Sequence, residues 1–122
     1  MLRRTSLLLG LALLLPAPGR AQDREAAFAD ALSLQDADQY LRGALAALKE
    51  GRPNQALEFL ERAESRLLTR AAPAPAAGKP VERGPVADIS AARAAVARRD
   101  LATARSLTEK ALAWVERRRH RR

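Results

Sequence analysis

The sequence predicts an all-α protein in which two antiparallel helical hairpins, joined by a Pro/Ala-rich linker, follow an N-terminal signal peptide. Three observations carry that prediction. Apolar residues recur at helical spacing in two separate blocks. Four of the seven prolines crowd into one internal stretch, and the first 21 residues have the layout of an export leader.

The leader comes first in the chain. Arg3 and Arg4 form a basic start, Leu7–Leu15 is an apolar run, and residues 16–21 supply prolines and small residues as a helix break. Gly19 and Ala21 occupy the small positions that a signal peptidase requires, so cleavage is expected after Ala21, with a periplasmic or secreted product starting at Gln22. The apolar run is far shorter than the ~20 residues that span a bilayer. No Cys follows the cleavage point for lipid attachment, and the Arg3-Arg4 pair raises twin-arginine export as a minority route.

Residues 22–71 form the first helical region. Phe28, Ala31 and Leu32 predict a short helix near 23–34. Asp36 with Gln39 three residues on resembles a capping box opening the next helix, whose inner stripe is Leu41, Ala44, Leu45 and Leu48. Gly51 suits the left-handed position after a helix, and Pro53 the first turn of another. The following stripe is Ala56, Leu60, Ala63 and Leu67, and so short a turn makes the two helices antiparallel.

Residues 72–87 read as an extended spacer, because prolines and two glycines forbid a regular helix. The second hairpin is expected over 88–116, with Asp88 capping a helix that buries Ile89, Ala92 and Val96. Asp100 caps the last helix, which turns Ala104, Leu107, Ala111 and Val115 or Trp114 inward before a basic tail at 117–122.

The two hairpins superpose at an offset of 48 residues: Leu41 on Ile89, Ala44 on Ala92, Leu48 on Val96, Ala56 on Ala104 and Ala63 on Ala111. With Ala44, Gly51, Ala56, Leu60 and Ala63 at the small and apolar positions, and Tyr40 at the large aromatic one, the first hairpin resembles the tetratricopeptide repeat (TPR). The second departs from it with Arg99 for the turn glycine and Thr108 for an apolar residue, and neither hairpin has the closing proline. The resemblance covers about half of the mature chain. It implies stacked hairpins presenting a groove to a protein or peptide, and no catalytic residues.

The net charge of +8 suggests nucleic acid until it is located. Residues 22–116 hold 14 basic and 14 acidic side chains, so the excess sits at the two ends. Arginine outnumbers lysine 19 to 3 and there are 28 alanines, which a GC-rich coding bias explains more simply than phosphate recognition.

Zero Cys excludes disulfides, thiolate zinc sites and a cysteine nucleophile. The single His120 lies among terminal arginines with nothing to position it as a base. Glu58 and Glu61 share a helix face, but Arg62 follows Glu58 at i+4 and is expected to pair with it. No phosphate-loop, dinucleotide or calcium motif occurs, so no enzyme activity and no cofactor are expected.

Two sets of residues remain for binding. Arg62, Arg66 and Arg70 make a basic ridge; a solvated outer face explains it, and so does a grip on a carboxylate or phosphate partner. With Tyr40 and Trp114 they are the candidate contacts to a protein or peptide of the envelope. The second set, Arg117, Arg118, Arg119, Arg121 and Arg122, offers contact with an anionic surface such as lipid headgroups or lipopolysaccharide, worth ~1 kcal/mol per residue before screening. Trp114 reads equally as an interfacial anchor beside this run or as a core residue closing the last helix. Nucleic acid is a poor partner for an exported protein.

Overall fold

The computed structural model describes residues 18–69 and 84–121, and side-chain environments from residue 21. Within them the chain forms four α-helices and no strand: α1 (Pro18–Lys49), α2 (Pro53–Leu68), α3 (Pro85–Ala97) and α4 (Leu101–His120). Each helix packs on two others. Helices α1 and α3 both lie against α2 and α4, which closes the four into a ring around one apolar core.

Helix α1 corrects three expectations. It runs unbroken for 32 residues, where a short helix near 23–34 and a second starting at Asp36 were expected. Nothing from Arg24 to Lys49 is a proline, so Ser33, Gln35 and Asp36 interrupt the apolar pattern without interrupting the backbone hydrogen bonds. The break expected over 16–21 is likewise absent from Pro18 onward, a proline at a helix start being compatible with helical φ. Finally, Phe28 (67% exposed) and Leu32 (46% exposed) do not face a core; the first buried residue of the described chain is Leu34. Residues 1–17 of the expected leader lie outside the described residues.

The α1–α2 and α3–α4 turns share one geometry. Gly51 has φ +71° and Arg99 has φ +64°. In the first, Gly51 N–H donates to Leu48 O (3.2 Å) and Arg52 N–H to Ala47 O (2.8 Å). In the second, Arg99 N–H donates to Val96 O and Asp100 N–H to Ala95 O, both at 2.9 Å. These are the paired bonds of a Schellman cap, which satisfy carbonyls that the helix end would leave unpaired. The residue after each left-handed position, Arg52 or Asp100, then serves as N-cap of the next helix. Asp100 caps with its side chain, accepting from Thr103 N–H at 3.2 Å, whereas Arg52 leaves that role to Pro53, whose missing N–H needs no partner.

Helix α3 begins three residues before the expected cap. Gly84 is its N-cap, Pro85 opens it, and Asp88 lies in the first turn, where a carboxylate still favours the positive helix end. The spacer expected over 72–87 therefore gives way to helix at Pro85, and 72–83 lie outside the described residues. Helix α4 runs to His120, so the expected tail is helical over 117–120 and Arg122 alone of it lies beyond description.

The core is built from the stripes that the spacing predicts, with α2 contributing Ala56, Leu60, Ala63 and Leu67. Leu41, Ala44, Leu48, Ile89, Ala92, Val96, Ala104, Ala111 and Val115 join them, with Leu45, Leu107 and Trp114 partly buried at the margin. Half of the buried apolar residues are alanine, which lets helix axes approach closely but removes little area from water per residue. Thr108 is fully buried, its hydroxyl donating to Ala104 O one turn back at 2.7 Å.

Candidate functional site

Helices α1 and α2 meet along an outer seam where Tyr40, Glu61, Arg62, Ser65 and Arg66 line a cleft of about 380 Å³. The local sequence explains the gathering. Residues 61, 62, 65 and 66 fall one helical turn apart on a single face of α2, opposite the buried stripe, and Tyr40 crosses to them from α1. Tyr40 is half-buried against Phe59, ring centroids 6.5 Å apart and tilted by 33°. Phe59 in turn lies over Gly43, where a Cβ would stand 3.1 Å from three ring atoms. A small residue in α1 thus seats Phe59, against which Tyr40, the aromatic residue lining the cleft, is packed.

Charges around the cleft are partly committed. Arg66 Nε stands 3.4 Å from Asp36 Oδ2, and Glu61 reaches Arg93 Nη2 at 3.5 Å. Arg93 also donates to Glu64 Oε1 at 3.0 Å, tying α3 to α2. Arg62 is exposed and has no ion pair among the described residues; the pair expected with Glu58 is not formed. The cleft accordingly offers one uncommitted guanidinium, a hydroxyl and the phenol of Tyr40. These groups suit the binding of a polar chain with a carboxylate or carbonyl edge. Arg70, the third member of the expected ridge, lies outside the described residues.

The remaining sequence candidates fall on α4. Trp114 is partly buried against the core, and the Arg118 guanidinium carbon sits 5.0 Å from its ring centroid. The indole thus packs partly buried against the core while a cation covers its ring. Arg117, Arg118 and Arg121 line a second cleft with it. Arg119 does not join them, because its Nη1 lies 3.0 Å from Asp38 Oδ2.

Asp38 is not among the candidates that the sequence singles out. It lies mid-helix with only 3% of its surface exposed, accepting from Arg42 Nε at 2.6 Å. Arg42 also bonds Glu116 on α4, so Asp38, Arg42, Glu116 and Arg119 form one network joining α1 to α4. Hydrogen bonding to Asp38 and its negative charge raise the Arg42 pKa further above its already high ordinary value. Contact with Arg119 is a charge contact without hydrogen-bond alignment at Oδ2. The Asp38–Arg42 spacing of four was visible in the sequence as an i,i+4 ion pair. Their partners on α4 were not.

Among the described residues no group of three His, Cys, Asp or Glu side chains is placed to hold a metal ion, and no helix is long and apolar enough to cross a membrane. His120 is the exposed last residue of α4. No family model, curated protein or solved structure matches the chain.

Proposed function

We propose that the chain is a non-enzymatic binding module of the cell envelope that holds a protein or peptide on the outer α1–α2 seam around Tyr40. The observation that carries this reading is the convergence of three residues singled out as partner contacts, Tyr40, Arg62 and Arg66, on one cleft. The reading takes the helices as two antiparallel hairpins of TPR-like kind. Supporting it, residue 36 contacts 66 while 40 contacts 59, so the chain directions of α1 and α2 oppose. The two turns repeat the same cap at an offset of 48 residues. Because the helices close into a ring, the reading puts the partner on an outer seam and not in the inner groove of an open stack.

The test is retention of a polypeptide from periplasmic extract on the immobilised protein, compared with Tyr40→Ala/Arg62→Glu. A band held by the unsubstituted protein and lost from this variant supports the reading; equal retention, or none, overturns it. Export is checked separately by sequencing the amino terminus of the mature protein, where Gln22 is expected.

A further inference from the structure

The arginines of α4 are sorted by helix face. Trp114, Arg117, Arg118 and Arg121 follow the i, i+3, i+4, i+7 spacing that places residues on one side of a helix, and together they line a cleft of about 260 Å³. Arg119 lies off that stripe and is taken up by Asp38 of α1. The three arginines on the stripe are exposed, and none has an ion pair among the described residues. The carbonyl end of α4 favours cations there but carries only about half a unit charge, which leaves most of the charge of three guanidiniums without a counter-anion.

We propose that this cleft is a binding site for a phosphate group, either free or as a phosphomonoester headgroup. Arginine's planar fork matches phosphate oxygens with two parallel hydrogen bonds, and a phosphate of charge about −1.5 to −2 balances more of the cluster than a single carboxylate does. The indole, packed against the core, fixes where the Arg118 guanidinium stacks, and stacking leaves its N–H edges available in the guanidinium plane. One fork is therefore pre-positioned, with Arg117 and Arg121 flanking it. A cleft of this volume accommodates one small anion. This site uses different residues from the α1–α2 seam, so it stands or falls apart from the function proposed above.

Trp114 is the only tryptophan of the chain, so its fluorescence reports on the site directly. The full chain is titrated with inorganic phosphate against potassium chloride at matched ionic strength. It is then titrated with phosphatidylcholine vesicles with and without phosphatidic acid. A saturable change with phosphate identifies a free phosphate ligand, and one restricted to phosphatidic acid vesicles identifies a headgroup. In either case Arg117→Gln/Arg121→Gln should weaken the response roughly tenfold while helix content by circular dichroism stays unchanged. Arg118→Lys, which keeps the charge and loses the fork, should weaken it as well and serves if the double variant does not fold. A response matched by chloride, absent with both probes, or undiminished in the variants overturns the proposal.

Discussion

Gly51 and Arg99 hold the same left-handed backbone conformation at the same point of two equivalent turns, with φ of +71° and +64°. Both amides donate to the carbonyl three residues back, and the residue after each closes the longer bond of the cap. Glycine adopts this conformation without a Cβ clash, and arginine does not.

The two turns should therefore respond oppositely to substitution. Arg99 is exposed and makes no ion pair among the described residues, so Arg99→Gly should stabilise the fold by about 1 kcal/mol. Gly51→Ala should destabilise it by about the same amount, since nothing lies within 4 Å of the added Cβ and backbone strain alone acts. Urea unfolding of both variants checks the signs; a destabilised Arg99→Gly would contradict this account.

Gly43 should tolerate no branched side chain. A Cβ there already meets the Phe59 ring at 3.1 Å, so Gly43→Val should destabilise by about 1–3 kcal/mol by displacing the ring. In a Phe59→Ala background the same substitution should lose most of that penalty. A double-mutant cycle with additive effects would refute the contact as the cause.

Asp38 joins α1 to α4 through two guanidiniums that are themselves about half exposed. On removal of the carboxylate both arginines can turn toward water, so Asp38→Ala should cost about 1–3 kcal/mol, below the loss expected for a fully buried pair. Arg119→Ala should cost less, because Arg42 still bonds the carboxylate at 2.6 Å. Chemical denaturation of the two variants gives the ranking.

Thr108 offers a contrast between burial and polarity. Its hydroxyl bonds a carbonyl that the α-helical ladder already satisfies, so Thr108→Val leaves no buried group unpaired. Its stability should be unchanged or slightly raised, whereas Leu60→Ala, which empties a fully buried site, should cost about 2–5 kcal/mol. Comparable losses in the two would show that the hydroxyl bond matters more than packing.

Asp100 should give the fold a component of acid sensitivity. Hydrogen bonding from the Thr103 side chain, and then from its amide, stabilises the carboxylate and lowers its pKa below the ordinary 3.8. The stabilisation is then fully present above 3.8 and is lost as pH falls through the lower folded value. Asp100→Asn, which can still cap, should show a shallower decline of Tm with acid than the unsubstituted protein.

Much of the helical core was legible because α2, α3 and α4 bury the residues that a 3.6-residue period selects, Leu60, Ile89 and Val115 among them. The unity of α1 was not. Asp36 and Gln39 have the identities of a capping box, and only the absence of a competing turn keeps them inside a helix. Asp88 misled in the same way: Pro85 three residues earlier is as good a helix start, and a carboxylate in the first turn looks from sequence much like one at the cap. Tyr40, Arg62 and Arg66 were legible as a set because a ridge on α2 must face away from its own buried stripe. The division of the terminal arginines, with Arg119 turned to α1 and its neighbours not, depends on a partner 81 positions away that local periodicity does not encode.

Leu34 being the earliest buried side chain among the described residues has a practical corollary. Residues 21–33 can be substituted, tagged or tethered without emptying a core position, so the packing of the four-helix body does not depend on the side chains of that first stretch of α1.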